Sequence, residues 1–243
     1  MTSLRVILFD LGSTLIYARD PWPPIYQRAD QALAVVLRQA GIDLDPQRFY
    51  EDYASFMDAY YSHSRPDNLE PTSFSALREL LIEKGYHDVP DEVLEAALDA
   101  EYAITQTNWF LEDDAFPTLQ ALKAAGFRLG MVSNTSYDKN VQQLVDRHNL
   151  RPFFEIIVTS AALGIRKPDR RIFQVALDHF DVPPESAAMI GDTPSADLEG
   201  ANRLGMFSVW IARRAGSPDP AIRPRATVAT LGELPALFQG LPS

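Results

Sequence analysis

Five short apolar runs punctuate the chain: Val6 to Phe9, Leu129 to Val132, Ile156 to Val158, Ala188 to Ile190 and Ser208 to Ile211. Each has the length of a strand buried on both faces. Between the later runs, apolar residues recur at helical spacing over Thr118 to Ala125, Asp138 to Arg147, Asp169 to Phe180 and Ser195 to Leu204. This alternation of strand and helix predicts a doubly wound α/β fold, a parallel sheet wrapped by helices. Gly126, Gly164 and Gly205 fall where those elements must end.

From about Ile16 to Trp109 the pattern changes: no strand is predicted, and four amphipathic helical patterns follow one another. They cover Gln27 to Gln39, Pro46 to Tyr61, Thr72 to Glu83 and Glu92 to Ile104. Helices after a single strand predict an α-helical unit inserted into an α/β core, with residues 16–110 as the insert and residues 1–15 and 111–243 as the core. Pro21, Pro23 and Pro24 mark the entry and Glu112-Asp113-Asp114 the return. The tail from Gly216 to Arg225 is Pro-rich and reads as a surface loop before a short helix near Leu231 to Phe238.

Composition narrows the classes of function. With 46% apolar and 23% charged residues in 243, the chain has the makeup of a folded globular protein rather than a disordered one. A formal net charge of −11 argues against an extended basic footprint for nucleic acid or an anionic membrane. The absence of cysteine removes thiol catalysis, disulfides and thiolate metal sites. Asp10 interrupts the early apolar stretch, and nothing approaches the roughly 20 apolar residues of a membrane span, so a cytoplasmic protein is expected. The oligomeric state is left open.

In an open parallel sheet, residues following the strands converge on one crevice. Asp10 follows the first run in "LFDLGSTL", Ser133 and Asn134 the second in "LGMVSN". Lys167 lies beyond the third in "LGIRKPDRRIF", and Asp192 and Asp197 follow the fourth in "MIGDTPSAD". Three carboxylates, a hydroxyl and a lysine suit phosphoryl chemistry with Mg²⁺, which takes a few protein oxygens and shares its shell with substrate phosphate. Lysine and serine can hold the other phosphate oxygens. A carboxylate can serve as the nucleophile.

The ordered set "FDLGSTL", "VSN", "RKP" and "GDTPSAD" resembles the haloacid dehalogenase-like hydrolase superfamily over most of residues 4 to 238, with "LEGANRLGM" after the last motif. The resemblance implies a Rossmann-like core and makes the inserted helices a cap. It implies a Mg²⁺-dependent hydrolase of small phosphorylated metabolites. Asp10 would be nucleophile and metal ligand, and Ser133 and Lys167 would bind the phosphoryl group. Asn134 would position substrate or the first motif, Asp192 would be a metal ligand, and Asp197 a ligand or an acid that orients one. The family usually reads D-x-D-G-T, so here Gly12 stands where a second Asp is expected and Ser13 where Gly is usual. Glycine keeps the main-chain carbonyl for the metal and loses the acid that protonates the leaving group.

Three readings follow from Gly12. One is a phosphatase with a good leaving group or a substitute acid such as His63, Asp20 or a cap tyrosine. Another is a regulatory protein that binds phosphate or metal with little turnover. The third is a 2-haloacid dehalogenase, which the resemblance makes independent of metal and so at odds with "GDTPSAD". Elsewhere, Phe49, Tyr53, Phe56 and Tyr60 read as the packed face of a helix rather than a pocket, with Tyr50 and Tyr61 off that stripe. Trp22-Pro23-Pro24 reads as linker packing before it reads as crevice lining or a hinge. His63, His87, His148 and His179 lack metal-ligand spacing. Arg170, Arg171, Arg213 and Arg214 read as solvated, with Arg166 the best anion binder of the arginines.

Overall fold

The computed structural model describes residues 4–64, 67–214 and 221–240, with side chains described at all of these except 46, 47 and 60–64. Strands β1 (Val6–Phe9), β4 (Arg128–Ser133), β5 (Ile156–Thr159), β6 (Ala187–Gly191), β7 (Phe207–Ile211) and β8 (Ala226–Val228) form a six-stranded parallel sheet in the order β5-β4-β1-β6-β7-β8. β1 alternates between the two faces: Ile7 and Phe9 pack into one core and Val6 and Leu8 into the other, all fully buried. That is why its sequence is a continuous apolar run rather than an alternating one.

Helices α5 (Ala115–Ala124), α6 (Asp138–Arg147) and α10 (Leu234–Gln239) contribute to the core that holds Ile7 and Phe9. α8 (Arg170–Phe180) and α9 (Glu199–Leu204) contribute to the other. The expected glycines are punctuation: Gly126, Gly164 and Gly205 all adopt positive φ, which a side chain resists. The strand order reverses at β1, which places a crevice at the carboxyl ends of β1, β4 and β6.

Between β2 (Ile16–Ala18) and β3 (Trp109–Leu111) lie α1 (Trp22–Gln39), α2 (Pro46–Ser64), α3 (Ser73–Glu83) and α4 (Asp91–Thr105). They enclose a separate core that includes Leu33, Leu37, Phe49, Leu77, Leu81 and Leu94. α3 starts where Thr72 caps it, its side chain accepting the Ser75 N–H.

Three expectations need correction. The stretch read as free of strands begins and ends in one: β2 and β3 pair antiparallel, Ile16 opposite Leu111 and Ala18 opposite Trp109. Three residues are too few to show a period, and the partner lies beyond four helices. A short strand, β8, stands between the Pro-rich tail and the final helix, where none was expected, and residues 216–220 of the tail lie outside the described residues. The helix expected over Ser195 to Leu204 begins as a wide π-type turn, Pro194–Leu198, before α9 takes over.

Candidate active site

The residues expected at the strand ends meet at one place. Asp10, 7% exposed, is fixed at the end of β1 by its N–H donating to the Ile190 carbonyl at 2.9 Å. Lys167 Nζ donates to Asp10 Oδ1 at 2.7 Å, to Asp197 Oδ1 at 2.6 Å and to the Val132 carbonyl at 2.7 Å. All three ammonium protons are thus used. Burial pulls the lysine pKa down, but Asp10 and Asp197 outweigh it and the ammonium ends above its ordinary value. Lys167 is charged here.

Carboxyl oxygens of Asp10, Asp192 and Asp197 lie within 4.8 Å of one another. One lysine cannot neutralise three acids. Burial, then repulsion from Asp10 and Asp197, pushes Asp192 up to about 7, and burial foremost pushes Asp197 up to about 6. Hard oxygen donors in excess of local positive charge are what a divalent cation such as Mg²⁺ fits. The oxygens are not equivalent, however. Both oxygens of Asp197 are engaged, Oδ1 by Lys167 and Oδ2 by the Thr193 N–H at 3.0 Å. Asp10 and Asp192 each keep an oxygen with no hydrogen bond among the described residues.

Gly191 is required for this placement, because a Cβ there would lie 2.2 Å from the Asp197 carboxyl group. Asn134 Nδ2 donates to the Lys167 carbonyl at 3.1 Å, and its Oδ1 accepts the Lys167 N–H at 2.8 Å. Both polar ends of Asn134 therefore grip the backbone that carries the lysine. Ser133, 4% exposed at the end of β4, has a hydroxyl that makes no hydrogen bond among the described residues.

Gly12 follows in the loop after β1, and Ser13 adopts φ 57°, the left-handed conformation for which glycine is the usual residue. A Cβ on Gly12 would meet only the Trp109 indole, at 3.5 Å and 3.9 Å, which is ordinary contact. So among the described residues an aromatic ring, and no acid within 4 Å, faces the place of that Cβ. Asp20 is turned away: its carboxylate pairs with Arg19 at 3.3 Å on the surface. The His63 side chain, like those of Tyr60 and Tyr61, lies outside the described ones. Of the described histidines, His148 has a buried, unpartnered Nε2, and burial lowers its pKa.

A cavity of about 860 Å³ opens beside this floor, between the helices and the core, lined by Asn134 and Trp109 from below. Trp22 and Pro23 line it too, so the linker-packing reading of that segment is corrected: Trp22 begins α1 and packs 5.3 Å from Trp109, ring to ring. Phe49 and Tyr53 are packed core as expected, but Tyr53 and Tyr50 also reach the cavity. Arg166 lines it, 3.5 Å from Glu70, a buried acid that accepts from Ser160 Oγ at 2.7 Å. Arg213 and Arg214 are not simply solvated, since both pair with the buried Glu112. The sequence reading missed Trp109, Glu70, Asp30 and Glu101. Tyr26 and Asp30 at i and i+4 on one helix face were the available signal.

Across the crevice the helices are seated on the core by polar contacts. Ser136 Oγ of the core meets Ser73 Oγ at 3.0 Å and Tyr102 Oη at 3.0 Å. The Glu70 N–H donates to the Gly164 carbonyl and the Arg166 N–H to the Asn68 carbonyl.

The chain matches the haloacid dehalogenase-like hydrolase family over residues 4–205. It is 30% identical to the glyceraldehyde 3-phosphate phosphatase of Methanopyrus kandleri across 86% of this chain and 84% of that one. It is 37% identical to the phosphoserine phosphatase of Thermus thermophilus, over 51% of this chain and 48% of that one. Among solved structures, a 2-haloacid dehalogenase from Pseudomonas syringae pv. Tomato DC3000 superposes with a TM-score of 0.70 at 24% identity, covering 97% of this chain and 98% of that chain; it shares the fold. No described helix is long and apolar enough to cross a membrane.

Proposed function

Because this chain belongs to the haloacid dehalogenase-like hydrolase family, we propose that it hydrolyses small phosphate monoesters through a covalent phosphoryl group on Asp10. The observation that carries this is Lys167 Nζ held between Asp10 and Asp197 with Asp192 in the same oxygen cluster. Relatives named for glyceraldehyde 3-phosphate and phosphoserine support small phosphorylated substrates.

Asp10 would attack with Oδ2, the oxygen that Lys167 leaves free. The bond from that oxygen to phosphorus forms as the ester bond breaks, and the electron pair leaves with the alcohol oxygen. Water then attacks phosphorus and returns Asp10 as carboxylate with inorganic phosphate released. The Ser133 hydroxyl holds a phosphoryl oxygen in this scheme, and the Lys167 ammonium, its protons on Asp10, Asp197 and the Val132 carbonyl, offsets the charge of the transferring group while Asn134 keeps it in place. Asp10, Asp192 and the Gly12 carbonyl would hold Mg²⁺, with Asp197 orienting the lysine. When bound, the ion offsets the excess carboxylate charge and draws the phosphate in.

Gly12 removes the acid that position 12 would give the leaving oxygen. General acid help is typically worth ~10² to 10⁴ in rate, or about 3 to 5 kcal/mol. Positioning and charge stabilisation, the larger contributions in phosphoryl transfer, need no side chain at 12. Residues 16–110 act as a cap whose seating on the core excludes water during the first step. One observation favours a second reading, a binding protein with slow turnover: the Trp109 ring covers Gly12.

Release of p-nitrophenolate from its phosphate ester, with and without Mg²⁺, tests the proposal, with Asp10→Asn as control. Mg²⁺-dependent release that the variant lacks is expected. No hydrolysis of any phosphate monoester would leave the binding role.

A further inference from the structure

Asp30 is 5% exposed, faces the cavity from α1, and makes no hydrogen bond or ion pair among the described residues. A buried carboxyl without a partner is costly. Glu101, opposite on α4, is engaged by Tyr53 Oη at a long 3.4 Å, and the two acids repel each other. Burial pushes Asp30 up to about 7 and Glu101 up to about 8. Among the described residues the cation lining this cavity is Arg166, and Glu70 already faces it at 3.5 Å.

Aromatic rings connect this acid pair to the catalytic floor. Trp109 stands over Gly12, Trp22 packs on Trp109 at 5.3 Å, and Tyr26 stacks on Trp22 at 5.0 Å and 13°. Tyr26 lies one helical turn before Asp30, and burial, then Glu101 and Asp30, raise its phenol pKa. Paired carboxyls beside aromatic faces are the surroundings that bind an ammonium group, through ion pairing and cation–π attraction. The same wall repels a second anionic group on a substrate.

We propose that Asp30 and Glu101 form a cation-binding subsite, so that the preferred substrates are phosphate monoesters carrying an ammonium group on the alcohol side. The phosphate would lie on the Asp10–Lys167 floor and the cation beside Asp30, with the chain between them along the Trp109, Trp22 and Tyr26 rings. The substrate class rests on the phosphatase reading; the cation subsite rests on its own geometry.

The test compares kcat/KM for 6-aminohexyl phosphate, whose chain is long enough for the ring-to-ring steps of 5.3 Å and 5.0 Å, with that for 6-hydroxyhexyl phosphate, its neutral analogue, and for 6-phosphonooxyhexanoate, its anionic one. A preference of about tenfold or more for the ammonium ester is expected, and Asp30→Asn and Glu101→Gln should bring the ratio toward one. A ratio near one in the unaltered protein, or a ratio that neither variant changes, overturns the subsite. If no ester, p-nitrophenyl phosphate included, is hydrolysed, the phosphatase reading fails. The subsite is then judged by tryptophan emission on titration with tetramethylammonium. A saturable change that Asp30→Asn weakens about tenfold supports it, and no saturable change overturns it.

Discussion

Asp197 accepts from Lys167 Nζ with one oxygen at 2.6 Å and from the Thr193 N–H with the other at 3.0 Å, so a carboxylate only 1% exposed has no oxygen left over. In the proposed mechanism the acid would work through the lysine it holds. Asp197→Asn should therefore lower kcat far more than it lowers Mg²⁺ affinity. Breaking a buried pair typically costs about 3 to 5 kcal/mol, so a lowered melting temperature should accompany the loss. Mg²⁺ titrations of activity and thermal melts check both. A collapse of Mg²⁺ affinity with kcat retained would make Asp197 a metal ligand instead.

Gly12 predicts a particular dependence on the leaving group. With an indole and no acid within 4 Å of the place of its Cβ, the rate should fall steeply as the leaving alcohol becomes more basic. A series of aryl and alkyl phosphates measures the slope. Gly12→Asp paired with Trp109→Ala, which clears room for a carboxyl, should flatten it and raise rates on alkyl esters by up to ~10². A flat slope in the unaltered protein would mean that another group supplies the proton.

Much of this candidate site was legible in the chain because its residues sit at strand ends, and strands buried on both faces announce themselves as apolar runs. Asp10, Ser133, Lys167 and Asp192 each follow such a run, and the sheet brings them together. What was not legible depends on partners distant in sequence. β2 and β3 are three residues each and exist as strands only because they pair across the inserted helices. Trp109 acquires its place over Gly12 through that same pairing. Asp30 sits on a helix whose apolar period says which face is buried but not that a cavity interrupts it. The division of labour between Asp192 and Asp197 depends on single hydrogen bonds that spacing does not encode.

Asp30 and Glu101 also predict how stability varies with pH. Their ordinary values of 3.8 and 4.5 rise to about 7 and about 8 in the fold. The folded state thus holds protons that the unfolded chain has released. Their stabilising contribution is complete below about pH 4 and is lost as pH rises through about 7 to 8, at roughly 1.4 kcal/mol per unit of difference. Asp30→Asn should flatten this decline and leave the variant more stable than the parent at pH 8. Denaturant unfolding at pH 5 and pH 8 measures it; a parent more stable at pH 8, with the variant tracking it, would contradict the assignment.

Glu70 should act as a fastener between helices and core, since it binds Ser160, faces Arg166 and leads directly into α3. Glu70→Ala leaves Arg166 beside the cavity without its partner. Proteolysis between the helices and the core should quicken, and KM should rise more than kcat falls. Unchanged proteolysis and KM would place the fastening elsewhere.

The central claim is that Asp10 carries the phosphoryl group. Rapid quenching of the Mg²⁺-loaded protein during turnover of a ³²P-labelled monoester, followed by peptide mapping, tests it directly. Label on the peptide containing Asp10, released by hydroxylamine and absent from Asp10→Asn, is the predicted result. An Asp10→Asn protein that hydrolyses the ester at the parent rate would contradict it.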